Sequence, residues 1–223
     1  MAENNPDNNW DMFWSDRKGI IHNIFHKLAA FYRKFIISES LIFFLDRNYK
    51  NDSVLLHAGC GSGLVDEKAR KNFKLFPIDI SFNALKINDD PKRLVQGDIL
   101  RIPFKKASFD GIYNFGVMEH FTQSEIIEIL KEFNRVLKHQ GKIILFWPHE
   151  FGIFVILLKS FNYLSNRVYK KNAIQCPDIK TYIKSYSQAE SFFKKTDFKI
   201  AGYYFGPKDL FTHAVITLEK TGS

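Results

Sequence analysis

Between residues 20 and 35 apolar side chains recur at intervals of three and four, namely Ile20, Ile21, Ile24, Phe25, Leu28, Phe31, Tyr32 and Phe35. That is the stripe of an amphipathic helix. A second, shorter helix is expected over residues 40–47. The pattern then changes: an apolar run at residues 54–58 ends in a glycine loop, and a helix-compatible stretch follows over residues 64–72. Strand candidates recur at residues 74–78, 93–96, 111–115 and 142–147, and strands alternating with helical patterns predict an α/β fold, a parallel sheet with helices on both faces. Thr122 and Glu125 form a capping box, Ile126, Leu130, Phe133 and Leu137 continue its stripe, and Gly141 is expected to close that helix. Pro148, which has no donor for a sheet ladder, stops the strand before it. Ser187 and Glu190 offer another capping box. Residues 198–205 and 211–219 then read as two strands joined through Gly206 and Pro207, an antiparallel pair at the end of the sheet.

Composition adds bounds to this picture. The 223 residues are 45% apolar and 25% charged, ordinary for one globular domain, and neither a repeat nor a linker divides them. We read residues 1–223 as one domain, with a helical cover over 1–50, a core over 54–147 and a Phe- and Tyr-rich lid inserted over 149–186. Residues 1–9, Asn-rich and polar, read as a frayed tail. The 23 phenylalanines make the core or a pocket unusually aromatic. The longest nearly unbroken apolar run, residues 151–158, falls far short of the ~20 residues of a spanning helix. An opening rich in Asn, Asp and Glu lacks the order of a secretory signal, so a cytoplasmic chain is expected. Cys60 and Cys176 then read as free thiols, and with no Cys/His cluster of zinc spacing no metal is expected. The formal charge of +8 permits contact with nucleic acid, anionic lipid or an acidic substrate. The basic pairs are dispersed, however, from Arg33 and Lys34 to Lys194 and Lys195, and read as a general solvated surface.

Candidate chemistry gathers after the strands. In VLLHAGCGSG, residues 54–63, a strand runs into three alternate glycines that let backbone approach a ligand. A dinucleotide fingerprint would need glycine at 64, where the chain has Leu64. Asp79 lies 20 residues beyond Gly59, where a carboxylate accepts both ribose hydroxyls of a nucleoside, although it also suits a helix N-terminus. Asp98, in QGDIL, has the chemistry to take an adenine amino group, with Ile99 or Ile80 against the ring faces; turn chemistry is its ordinary alternative.

Taken in order, these segments resemble class I S-adenosylmethionine-dependent methyltransferases, especially the small-molecule group with ubiquinone-type and sugar-type members. HAGCGSG matches that family's glycine loop and PIDIS its second-strand acid. QGDILRIPF matches its third landmark, SFDGIYNFGVMEHF its fourth strand and following helix, and LKHQGKIILFWP its fifth strand. The resemblance implies a single Rossmann-like, doubly wound, mostly parallel sheet with a C-terminal antiparallel strand, preceded by helices and interrupted by the lid. It also implies S-adenosyl-L-methionine as cofactor. Gly59, Cys60, Gly61 and Gly63 would approach its methionine part, Asp79 the ribose, Asp98, Ile99 and Ile80 the adenine, and Asn114 or Phe115 the methionyl end. His57 stands where the family usually has an acid, which gives up a favourable charge near the sulfonium.

Should the acceptor be a hydroxyl, a general base helps, and His120 is the candidate, with Glu119 its partner and His149 in reserve. The leading expectation is in-line methyl transfer to a small or lipid-like acceptor enclosed by aromatic segments at residues 10–14 and 151–163. RNA methylation is the alternative. Where base methylases often carry Asn-Pro-Pro-aromatic, this chain reads Asn114, Phe115, Gly116, Val117, so nucleic acid is not the expected partner. A binding protein whose chemistry has lapsed is the third reading, supported by His57. Residues 20–36 combine basic side chains with the apolar stripe, which suits peripheral contact with a membrane or a cover over the cofactor.

Overall fold

Strands β1 (Val54–Ala58) and β2 (Lys74–Asp79) pair in parallel, and β3 (Val95–Gln96) extends them on the far side of β2 in the computed structural model. The structure describes residues 6–15, 27–88, 91–169 and 179–221. β4 (Phe109–Phe115) and β5 (Leu137–Pro148) continue the parallel set beyond β1, and β6 (Phe198–Tyr204) and β7 (His213–Lys220) close the sheet. The strand order is β3-β2-β1-β4-β5-β7-β6. β7 runs antiparallel to both β5 and β6, which is the expected ending. The reversal of strand order beside β1 opens a crevice outside the strands' C-terminal ends, where ligands of open α/β sheets bind.

Alternate residues of each strand serve two cores. Leu56, Ile143 and Leu145 face one layer with helices α5 (Gln123–Val136) and α7 (Tyr186–Phe193). Leu55, Ile144 and Phe146 face the other with Ile37, Leu41 and Leu45. The capping box at Thr122 and Glu125 is present, because the 14-residue α5 needs its first amides satisfied before it turns Ile126, Ile129, Leu130 and Phe133 inward.

Several local expectations are corrected. α5 ends at Val136 rather than at Gly141, which lies inside β5, since Leu137 already pairs with Phe109. The stretch 64–72 is helical only over α3 (Ala69–Asn72), because the glycine loop turns until Asp66 has found its buried partners. α7 is capped by Ser185, which accepts from the Gln188 amide, rather than by Ser187. Only Val95 and Gln96 of the third strand candidate pair. The supposed tail is helical from its sixth residue, as α1 (Pro6–Ser15).

The amphipathic stripe also reads differently in the fold. Ile20 to Phe25 lie outside the described residues. The chain is α-helical over residues 27–32, π-helical over Arg33–Ile37 and α-helical again over Ser38–Asn48, here α2. Leu28, Phe31 and Phe35 are exposed, whereas Ala29 and Ile37 are buried. The lid contains α6 (Ile153–Tyr169), and its return strand-like segment bridges Ile183 to His149. Cys60 is a buried free thiol; Cys176 lies outside the described residues.

Candidate functional site

At the C-terminal ends of β1, β2 and β4 lies a cavity of about 360 Å³. Its floor is the loop after β1, where Gly59, Gly61 and Gly63 all hold positive φ, at 74°, 52° and 66°. An L-residue is strained there, and a Cβ on Gly61 would also sit 2.8 Å from the Trp14 ring.

Asp79 ends β2 at the cavity wall. Its Oδ2 accepts from the Gly61 amide at 2.7 Å and its Oδ1 from the Ser81 amide at 2.9 Å. Burial pushes this carboxyl up, while the amides of Ser81 and Gly61 pull it back. The glycine loop and the acid are thus one unit, each fixing the other. Asp98 sits on the same wall, its Oδ1 accepting from the Leu100 amide at 2.8 Å, with Ile80, Ile99 and Leu100 as apolar neighbours.

His57 also reaches the wall, but as part of a buried triad that sequence spacing concealed. Asp66 Oδ2 lies 2.8 Å from His57 Nδ1, and Asp66 Oδ1 accepts from the Tyr113 hydroxyl at 2.7 Å. Tyr113 stacks on the imidazole with 4.4 Å between centroids. Burial beside Asp66 pushes the Tyr113 hydroxyl up, so it stays a donor. A carboxylate accepting from both sides places the proton of a neutral His57 on Nδ1. In that tautomer Nε2 is an acceptor, buried and without a partner among the described residues.

Glu119 and His120 also line the cavity. Burial pushes the Glu119 carboxyl up to about 8. Its Oε2 has no partner among the described residues, and Oε1 stands 3.7 Å from His120 Nε2. Its backbone carbonyl accepts from the Lys180 and Thr181 amides, which ties the return segment of the lid to the cavity lining.

Aromatic side chains roof the cavity: Trp10, Phe13 and Trp14 from α1, Tyr32 from the following helix, Phe154 from α6 and Tyr182 beyond it. α1 is latched by Asp11, whose Oδ1 accepts from Ser81 Oγ at 2.6 Å and from the Asn83 amide at 3.1 Å. Trp10 meets His120 edge-on at 5.0 Å.

The fold thus brings His57, Gly59, Cys60, Gly61, Gly63, Asp79, Ile80, Asp98, Ile99, Phe115 and His120 to one cavity. Asn114 is placed elsewhere: it is fully buried, does not line the cavity, and its amide has no partner among the described residues. His149 is likewise off the wall. It stacks on Phe205 at 3.8 Å and its Nδ1 accepts from the Phe151 amide, so the reserve base belongs to the lid's foundation. Asp66 and Asp11 were not singled out in the sequence, since an isolated Asp carries no signal of a partner distant along the chain. Among the described residues no group of His, Cys, Asp and Glu is placed to hold a metal ion.

Residues 56–145 match the family model described as a methyltransferase domain. An uncharacterized protein of Methanocaldococcus jannaschii is 32% identical over 122 residues, 55% of this chain and 52% of that protein. An Encephalitozoon cuniculi protein described as a candidate methyltransferase is 34% identical over 110 residues, 46% of this chain and 49% of that protein. The match therefore spans about half the length of each curated relative. Burkholderia thailandensis 1,6-didemethyltoxoflavin-N1-methyltransferase, solved with 1,6-didemethyltoxoflavin and S-adenosylhomocysteine, superposes with a TM-score of 0.63 at 11% identity, over 99% of this chain and 92% of that one. The matched residues run from β1 into β5, and the likeness to the solved structure is one of fold.

Proposed function

We propose that the chain binds S-adenosylmethionine and transfers its methyl group to a small or lipid-like acceptor. The observation that carries the reading is the Asp79 carboxylate, pinned by the Gly61 and Ser81 amides at the edge of a cavity floored by the glycine loop. Such an acid is preorganised to accept the two ribose hydroxyls. His57 Nε2 and Glu119 Oε2, unpartnered among the described residues, suit the donors of a methionine ammonium, and the left-handed glycines keep the floor open to its backbone-sized part. Asp98 with Ile80 and Ile99 suits the adenine.

When bound, the cofactor supplies an already activated methyl on sulfur. The chain's work is then to align the acceptor and exclude water. The aromatic roof serves both ends, and it favours an apolar acceptor over a nucleic acid strand. His120, which lines the cavity, is suited to taking a proton from a hydroxyl acceptor, while Glu119, held protonated at neutral pH, is suited to donating a hydrogen bond.

The test is calorimetry with S-adenosylhomocysteine on the intact chain and on Asp79→Ala, followed by label transfer from S-adenosylmethionine to a metabolite extract and to cellular RNA. Loss of the carboxylate should cost about 1.5–3 kcal/mol, roughly 10- to 150-fold in affinity. Unchanged affinity in the variant would refute the site, and label appearing in RNA alone would refute the acceptor class.

A further inference from the structure

Three elements that meet beyond the C-terminal edge of the sheet turn apolar side chains to the outside. On the helical segment of residues 27–37, Ala29 and Tyr32 line the cavity, whereas Leu28, Phe31 and Phe35 are 64%, 61% and 48% exposed. On α6, Phe154 and Val155 line the cavity, whereas Ile153, Ile156 and Leu157 are 47%, 48% and 62% exposed. The connection between β6 and β7 adds Leu210 and Phe211, both exposed.

These elements are tied together. Tyr32 and Phe154 stack with rings 4° from parallel and 6.4 Å apart. The Tyr32 hydroxyl donates to the Asp209 carbonyl at 2.6 Å, and the Ile153 amide donates to the Phe211 carbonyl at 3.1 Å. Leu210 and Phe211 hold left-handed backbone, at φ 56° and 55°. Strained backbone that presents two apolar side chains to water points to a use for them.

Charge identifies what would cover this face. Residues 27–37, 151–169 and 179–186 contain no Asp or Glu. They carry Lys27, Arg33 and Lys34 on the first helix, Lys159 and Arg167 on α6, and Lys180 and Lys184 after it. Lys34, Lys180 and Lys184 meet Glu67, Glu125 and Glu150 from neighbouring elements, exposed pairs that leave the face basic. Aromatic and aliphatic side chains interleaved with cations, on segments whose own sequence holds no acid and beside a connection whose one acid, Asp209, is buried, suit an anionic lipid interface rather than a second protein core. Among the described residues no helix is long and apolar enough to cross a membrane.

We propose that this face docks the chain peripherally on an anionic bilayer, its apolar side chains entering the headgroup and acyl boundary and its lysines and arginines meeting lipid phosphates. Ala29, Tyr32, Phe154 and Val155 of the same elements line the cavity, so an apolar acceptor would enter from the bilayer. That last step rests on the function proposed above, and docking itself does not.

The test sediments the full chain, without cofactor, with vesicles of phosphatidylcholine alone and of phosphatidylcholine and phosphatidylglycerol in equal parts, at low and high salt. Anionic vesicles should bind at least about tenfold more strongly, with salt weakening the preference. Phe31→Ser combined with Leu157→Ser, two side chains that line neither core nor cavity, should lower binding by about tenfold or more, because both lose their apolar insertion. The same variant should keep the affinity of the unaltered chain for S-adenosylhomocysteine. No preference for anionic vesicles, undiminished binding by the variant, or self-association that the variant abolishes would overturn the proposal. Failure of the unaltered chain to bind S-adenosylhomocysteine would count against the methyl-transfer reading alone.

Discussion

His57 replaces an expected acid, and its surroundings say what that replacement requires. With Asp66 Oδ2 2.8 Å from Nδ1 and Tyr113 stacked on the ring, a carboxylate at position 57 would face Asp66 in a buried site. His57→Asp should therefore destabilise the fold, by about 3–5 kcal/mol if the buried pair is simply broken, and Asp66→Asn in the same chain should restore part of that loss. Urea unfolding of the single and double variants checks it, and a single variant as stable as the parent would refute the triad's role. Glu119 gives a pH signature. An unfolded glutamate titrates near its ordinary 4.5, whereas in the fold burial raises it to about 8. Between these values the folded chain holds a proton that the unfolded chain has released. The group's stabilising contribution is therefore full below 4.5 and lost as pH rises toward 8. Glu119→Gln, neutral throughout, should lose less thermal stability than the parent between about pH 5 and about pH 8. Spacing after strands singled out Gly59, Asp79 and Asp98, which the fold brings to one cavity; the triad at Asp66 was not legible, because its third member, Tyr113, lies 47 residues away.

Among the elements, strands and the α5 cap were readable from the chain because their signals are local: alternation onto two cores, and Thr122 with Glu125 three residues on. The helix at residues 27–37 shows what local periodicity misses. Its stripe was real, but Leu28, Phe31 and Phe35 face outward, since the layer over β1 and β4 is already filled by Ile37, Leu41 and Leu45. α1 was hidden by its polar opening, and its place is set by a contact 70 residues along the chain, Asp11 with Ser81. The hydrogen bond from Ser81 and the amide of Asn83 hold the Asp11 carboxyl below its ordinary value. Asp11→Ala should loosen the roof over Gly61 by about 1 kcal/mol, the scale of a lost helix cap, or roughly fivefold. Proteolysis within residues 6–15 should quicken and S-adenosylhomocysteine should dissociate faster, read by stopped-flow tryptophan fluorescence. Proteolysis and release both at the parent's rate would show that α1 is held otherwise.

For the whole molecule, the two halves of the cavity are built from segments that the fold unites only at the sheet edge. The glycine loop, Asp79 and Asp98 come from the core, whereas Trp14, Tyr32 and Phe154 come from α1, the helix after it and the lid. A ligand that fills the space between them should therefore bind the folded chain and have no site on the unfolded one, so binding must appear as stability. At a free concentration about 100 times its dissociation constant, S-adenosylhomocysteine should add about 2.7 kcal/mol. For a chain of this size each kilocalorie raises the unfolding midpoint by about 2–4 °C, so the expected rise is roughly 5–11 °C. NAD should give no comparable rise, because Leu64 occupies the third glycine position of the dinucleotide loop and Asp79 already takes the Gly61 amide. Differential scanning calorimetry over a series of each ligand makes the comparison. A rise with NAD equal to that with S-adenosylhomocysteine would mean that the cavity selects only for adenosine, and that His57 Nε2 and Glu119 Oε2, unpartnered among the described residues, do not discriminate.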